Sequence, residues 1–327
     1  MRPFIHVKAA SLQEAAELLK AGNAVALAGG GDLLGALKDN IYPDYPRTVV
    51  SLTGIPGLSD IREEDGALYL GALTTLAQLA RSPLAAEKVP TLAQAAGQAA
   101  SPNLRETATL GGNLCQQPRC WYYRKLNNRF DCARKGGQRC FALSGDSRYH
   151  AVFGGAAFET AAGDKRACIA VNQGELAPVL AVLDAEVLTT ERTIPIGGFF
   201  AVGVCSATVL RPGELVTGVR IPLPETPLTC RYKRFTFRKT IDFPVISLAL
   251  AVDGDQEYRI CLGGVAPVPY RPLAAEALLR GRTLTPALAE EAGLAAVAGA
   301  RPTEHNAYKL QLVKTLVKRE LTALKQG

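Results

Sequence analysis

Four cysteines fall within 26 residues, Cys115, Cys120, Cys132 and Cys140, in the spacing C-x4-C-x11-C-x7-C. Through the surrounding stretch, about 113–153, no regular apolar period survives. Eight Lys/Arg crowd into it instead: Arg119, Arg124, Lys125, Arg129, Arg134, Lys135, Arg139 and Arg148. A segment of this texture is built around something other than a hydrophobic core. The N-terminal Met1-Arg2-Pro3-Phe4-Ile5-His6 lacks the apolar stretch of a signal peptide, so the expected compartment is the cytoplasm. Thiols stay reduced there, and a disulfide framework is not expected.

Thiolates this dense bind zinc or an iron–sulfur cluster, with four unrelated buried thiols as the plain alternative. Structural zinc favours paired C-x2–4-C knuckles, and here only the first gap qualifies. The longer, irregular gaps suit a 4Fe-4S cubane, whose four iron corners spread the ligands. The basic residues would offset its charge. The other four cysteines, Cys168, Cys205, Cys230 and Cys261, sit in apolar or strand-like sequence and read as small core hydrophobes. Of the three histidines, His150 closes the segment and is a possible extra ligand, while His6 and His305 look incidental.

The flanking sequence is conventional. Residues 11–22 read as a helix with Ser11 and Glu14 as a capping box and Gly22 as the stop. Strands are expected at Ala24–Ala28, Thr48–Leu52 and Ala67–Leu73, with helices at Leu33–Lys38, Thr75–Ala80 and 91–100. Patterning resumes at Ala167–Val171 and Leu176–Leu183. A boundary is expected near Pro212-Gly213. Beyond it come strand-like runs at Leu215–Ile221, Thr229–Thr236, Val245–Val252 and Glu257–Leu262, then helices over about 284–298 and 303–325. The expected organisation is a domain over 1–212, with subdomains about 1–55 and 56–212 and the Cys-rich insertion at about 115–153. A C-terminal α+β domain follows over 213–327.

Two loops of small residues stand between a strand and a helix or beside one. Ala28-Gly29-Gly30-Gly31-Asp32-Leu33 allows close backbone approach to a ligand and suits a pyrophosphate. It is neither a Walker A loop nor a GxGxxG turn. Thr109-Leu110-Gly111-Gly112-Asn113 is the second, and the two together point to a bulky diphosphate cofactor flanked on both sides.

Several functions are disfavoured. The net charge of +7 is mostly scattered, so nucleic-acid binding is not expected. The longest apolar run, around Val245–Val252, is too short to span a membrane. No Ser/His/Asp constellation stands out, and no residue is assigned a catalytic role, which favours a redox carrier over a hydrolase.

With these motifs in view, the chain resembles the FAD-binding medium subunits of molybdenum hydroxylases. The resemblance runs in order through Ala28–Leu34, Leu70–Thr75, Ala108–Leu114, Asp242–Ser247 and Leu262–Pro267. It implies a fold of the vanillyl-alcohol-oxidase (PCMH) type: two α+β subdomains clasping FAD, then a C-terminal domain of the CO dehydrogenase flavoprotein type. It implies that Ala28, Gly29, Gly30, Gly31, Asp32 and Leu33, with Thr109, Gly111, Gly112 and Asn113, hold the diphosphate. Glu175 would lie near the nucleotide and Lys233 near the flavin, where a cation favours the reduced ring.

The insertion is similar to that of the 4-hydroxybenzoyl-CoA reductase beta subunit and the periplasmic aldehyde oxidoreductase flavoprotein, which hold a 4Fe-4S cluster. Cys120, Cys132 and Cys140 match its ligands. The fourth position falls at Tyr149, which has no thiol, so Cys115 leads as the fourth ligand with His150 behind it. The implied partners are a molybdopterin-binding large subunit, a small subunit with two 2Fe-2S clusters and an external electron carrier. Export to the periplasm would require a signal-bearing partner. The competing reading is a zinc-stabilised nucleotide-binding module without redox activity.

Overall fold

The computed structural model describes residues 1–160, 163–238 and 241–324. The chain starts with a parallel sheet of β1 (Ile5–Lys8), β2 (Ala24–Leu27) and β3 (Thr48–Ser51), in the order β1-β3-β2. Ile5 and Ala24 both stand opposite Thr48. Parallel strands of one sheet need crossovers, and α1 (Leu12–Lys20) supplies the one from β1 to β2. Ser11 caps it as expected, its Oγ accepting from the Glu14 amide at 3.1 Å, but the Glu14 carboxylate accepts from the Ala10 amide at 2.8 Å rather than from Ser11, so the expected capping box is only half formed. The six-residue α2 (Leu33–Lys38) leads off the end of β2 through the first glycine loop.

The second region opens with β4 (Ile61–Glu64) and β5 (Ala67–Gly71), followed by short helices α3 (Leu76–Arg81), α4 (Pro83–Lys88), α5 (Pro90–Gln98), α6 (Pro102–Thr107) and α7 (Leu110–Leu114). Proline stands at the start of α4, α5 and α6, where its missing N–H costs nothing, and it forces each preceding helix to end. After the irregular segment come the hairpin β6 (Ala156–Glu159) and β7 (Lys165–Cys168), then α8 (Leu176–Val182), every residue of which is buried. The region closes with β8 (Glu186–Thr189), β9 (Thr193–Pro195), α9 (Ile196–Phe199), the pair β10 (Phe200–Gly203) and β11 (Ser206–Thr208), and β12 (Val216–Pro222).

The expected boundary at Pro212-Gly213 is corrected here. β12 lies between β5 and β8 in a five-stranded antiparallel sheet of order β4-β5-β12-β8-β9, so the first region runs through Pro222. Pro212-Gly213 is a turn inside it, with Gly213 at φ +82°. Glu214 fixes that turn. Its buried carboxylate accepts from Arg192 Nε at 3.0 Å, the Arg211 amide at 2.9 Å and Thr189 Oγ1 at 2.8 Å.

The C-terminal unit is an antiparallel meander of β13 (Thr229–Phe235), β14 (Ile246–Val252) and β15 (Tyr258–Gly263), with α10 (Leu273–Leu279), α11 (Pro286–Ala295) and α12 (Tyr308–Leu324). β14 is buried on both faces. Ala249 and Ala251 point into the core shared with α5 and α8, whereas Leu248 and Leu250 pack with Val313, Val317 and Leu321 of α12. The architecture is α+β as expected. Among the described residues no helix is long and apolar enough to cross a membrane.

Burial pushes the Glu214 carboxyl up, but the bonds from Arg192, the Arg211 amide and Thr189 outweigh it and bring the group down to about 2. A carboxylate lowered in the folded state contributes stability that is present above its unfolded value and lost as pH falls through the folded one. Glu214→Gln should therefore lower stability by about 1–3 kcal/mol at pH 7. The loss relative to the parent should shrink as pH falls from about 4.5 towards 2, in denaturant melts across that range.

Candidate functional site

The first glycine loop runs from the end of β2 into α2 and lies directly against the chain leading into α7. A Cβ on Gly29 would sit 1.6 Å from the Thr107 carbonyl oxygen, so only glycine allows this approach. Gly30 adopts φ +75°, and a Cβ there would meet Leu34 at 2.7 Å; around Gly31 the space is open. Ala28 packs with the core beneath the first sheet and Leu33 with the cluster around Leu37 and Val49.

The second loop is pinned to the β5–α3 connection. Leu110 N donates to Thr74 O at 2.9 Å and Gly111 N to Ala72 O at 2.8 Å. Thr109 caps α7 by accepting from Gly112 N at 3.1 Å. The structure thus brings the two loops together. Around them Thr74 Oγ1, Asn113 Oδ1 and Gln173 Oε1 are buried with no hydrogen-bond partner among the described residues. Buried polar atoms are normally paired, so three unpaired ones beside two glycine loops mark a place where a polar ligand fits.

Asp32 faces the other way. Its carboxylate accepts from the Gln117 amide at 2.9 Å and binds Arg119 at 2.9 Å and Arg124, tying the loop to the Cys-rich segment. Glu175 is buried at the start of α8 and pairs with Arg234 Nη1 at 2.5 Å. Burial pushes its carboxyl up to about 7, opposed by Arg234. Arg234 also donates to the carbonyls of Gln98 and Asp242, and sequence reading missed it. Lys233, its neighbour on β13, is exposed and on the opposite face of the strand, so the structure does not bring it to Glu175.

Cys120, Cys132 and Cys140 converge on a small cavity, and the fourth thiol lining it is Cys168 at the end of β7. Sequence reading had placed Cys168 in the core and Cys115 in this group. Cys115 instead ends α7 and packs against the main core with Leu114; burial alone pushes its thiol up to about 12. The Cys120 thiol also rises to about 12, through burial and then the neighbouring Cys168 and Cys132. Its hydrogen bond with Cys140 lowers Cys168. The only sequence trace of Cys168 was its position just past the basic segment, and a strand cysteine reads as filler.

Tight turns build this site. Gly137 N and Lys135 N both donate to Cys132 O, and Gly136 adopts φ +96°. Three buried cations stand in the same segment and hairpin: Arg134, Lys135 and Arg166. Arg166 pairs with Asp164 at 2.8 Å and Lys135 donates to Asn128 at 2.8 Å. No three His, Cys, Asp or Glu side chains among the described residues close on a point at single-ion range.

His150, the other candidate ligand, is buried with Nε2 3.2 Å from Cys120 Sγ; burial and the Lys309 charge push its ring down to about 4. Tyr149 is partly exposed and stacks edge-on to Trp121. Cys120, His150, Trp121, Tyr149, Phe237 and Phe243 border a second cavity of about 260 Å³, which Arg119 and Gln173 also line. That cavity therefore adjoins the cysteine site through Cys120 and is linked to the loop carrying Asp32 through Arg119.

A family profile for the FAD binding domain in molybdopterin dehydrogenase matches residues 2–224, and one for the CO dehydrogenase flavoprotein C-terminal domain matches 231–324. The chain belongs to the FAD-binding medium subunits of the molybdenum hydroxylase family. It is 33% identical over 302 residues to the aldehyde oxidoreductase FAD-binding subunit PaoB of Escherichia coli K12, covering 88% of this chain and 87% of that one. It is 27% identical over 323 residues to the carbon monoxide dehydrogenase medium chain of Hydrogenophaga pseudoflava, covering 96% and 94%.

Among solved structures, carbon monoxide dehydrogenase from Hydrogenophaga pseudoflava, in a form lacking the Mo-pyranopterin moiety, superposes with a TM-score of 0.74 at 26% identity, covering 97% and 96%. Quinoline 2-oxidoreductase from Pseudomonas putida 86 shares the fold at a TM-score of 0.74 and 22% identity, covering 100% and 98%. The protein is thus an FAD-binding subunit of an oxidoreductase, with the fold that the resemblance implied.

The resemblance implied that the two glycine loops hold the FAD diphosphate. Gly29→Ala must part the loop from Thr107, because backbone rather than a flexible side chain is in the way. FAD per chain should fall at least tenfold in the purified variant, measured by absorbance after acid release, while the circular dichroism of the fold persists.

Proposed function

We propose that the chain is the FAD- and 4Fe-4S-carrying electron-transfer subunit of a molybdenum hydroxylase-type complex, with the cluster on Cys120, Cys132, Cys140 and Cys168. The observation that carries this reading is the convergence of four thiols beside the buried cations Arg134 and Lys135. Burying Arg134 and Lys135, whose partners are the oxygens of Ser206 and Asn128 rather than carboxylates, is costly unless negative charge compensates it. A thiolate-ligated cluster supplies that charge; four neutral thiols do not. A cubane's ligands bind four different irons, so they need not close on one point as zinc ligands must.

FAD would be held at the diphosphate by the backbone of Ala28–Leu33 and Thr109–Asn113, with Thr74, Asn113 and Gln173 offering their unpaired oxygens. The Glu175–Arg234 pair stands near the nucleotide, and the aromatic-walled cavity of about 260 Å³ is the place read for the flat ring. Bound flavin converts two-electron into one-electron transfer, and the cluster relays single electrons. The chain's own residues orient the two groups and exclude water; none is assigned to substrate chemistry.

The organic substrate would be handled by a molybdopterin-binding large subunit. Electrons would pass between this chain and a small subunit with two 2Fe-2S clusters, and then an external carrier. The cytoplasm is the compartment proposed, because the four thiols must be reduced when the cluster is loaded.

Anaerobic purification should give about four iron and one FAD per chain, with broad reducible absorption near 400 nm. Cys168→Ser should lose the iron and keep FAD, whereas Cys115→Ser should retain both. A colourless zinc protein would overturn the cluster reading. Full iron in Cys168→Ser with loss in Cys115→Ser would return the fourth ligand to Cys115.

A further inference from the structure

We propose that His150 is a positioning residue that donates its Nε2 proton to the Cys120 sulfur and raises the reduction potential of the iron–sulfur centre. The inference rests on the cluster reading given above. Nε2 stands 3.2 Å from Cys120 Sγ, and Nδ1 is buried with no hydrogen-bond partner among the described residues. A metal-bound thiolate can only accept. In the neutral ring the proton must therefore sit on Nε2, and His150 acts on the sulfur rather than replacing it as a ligand.

The residue is held through its backbone and against a neighbouring ring. The His150 amide donates to Ser147 O at 2.8 Å. The His150 carbonyl accepts from Lys309 Nζ at 2.9 Å and from Asn306 Nδ2 at 3.3 Å. Trp121 lies edge-on to the imidazole, with centroids 5.7 Å apart. Such anchoring fixes the donor's direction, which a merely space-filling histidine would not need.

Reduction adds negative charge to the sulfurs, and an N–H···S bond stabilises that charge more than it stabilises the oxidised centre. Removing the donor should make the potential more negative. Nothing else in the cluster's ligand set changes.

The test is a redox titration of the anaerobically purified holoprotein, followed by electron paramagnetic resonance, with His150→Phe and His150→Gln. Both variants should keep the iron content of the parent. The iron–sulfur midpoint should move to a more negative potential in His150→Phe and lie between the two in His150→Gln, whose amide can still donate. An unchanged iron–sulfur potential in iron-replete His150→Phe would overturn the inference and leave the cluster reading intact. Loss of iron from both variants would also overturn it, because a donor to a ligand is not itself a ligand. A parent protein without iron would overturn the cluster reading first, and this inference with it.

Discussion

An irregular segment set between two regular regions must satisfy the backbone carbonyls it buries without helix or sheet ladders. In this chain cationic side chains do much of that work. Arg124 Nε donates to Pro118 O at 2.8 Å, Arg166 to Gly137 O, and Arg134 to Ser206 O at 2.8 Å. Lys309, fully buried on α12, donates to the carbonyls of Tyr149, His150 and Gly264 at 2.7–3.0 Å. Its three protons meet three carbonyl oxygens, an arrangement matched to an ammonium group. The local excess of positive charge is thus first a backbone device. It is an electrostatic one too at Arg134, which lines the cavity on which the four thiols converge.

The two candidate cofactor sites share parts. Asp32 belongs to the first glycine loop, yet its carboxylate receives Arg119 and Arg124 of the cysteine segment. Arg119 in turn stacks over Phe243 and lines the cavity bordered by Cys120 and His150. Displacing the loop therefore disturbs the wall of that cavity, and displacing the segment disturbs the loop. A salt bridge this sheltered is expensive to break from one side, since the remaining charge would be left buried.

Local signals carried most of the regular structure. Ser11 and Thr75 mark helix starts with side chains that bind the backbone, and α2 spans Leu33–Lys38 as its apolar spacing indicated. What sequence alone could not provide was non-local. Pro212-Gly213 has the local chemistry of a boundary, but only strand pairing shows β12 between β5 and β8. Cys168 joins the cysteine site because the β6–β7 hairpin folds back onto the segment, about 28 residues after Cys140 in sequence. Cys115 sat close to the other three along the chain, yet α7 turns it into the core. Arg234 could not be separated from Lys233 until the strand's alternation showed which one faces Glu175.

The C-terminal unit is more than an appendage to the flavin domain. β14 has no solvent face: its alanines meet α8 and its leucines meet α12, so one strand cements both cores. That two-sided packing sets where β13 lies, and β13 delivers Arg234 to Glu175 beside the second glycine loop. It also sets where α12 begins, and the start of α12 delivers Asn306 and Lys309 to the backbone of residues 149–151. The Glu175 end and the cysteine end of the molecule are therefore held by the same sheet. A small shift of the C-terminal unit would move Arg234 and His150 together, which couples the geometry of the two sites without any direct bond between them.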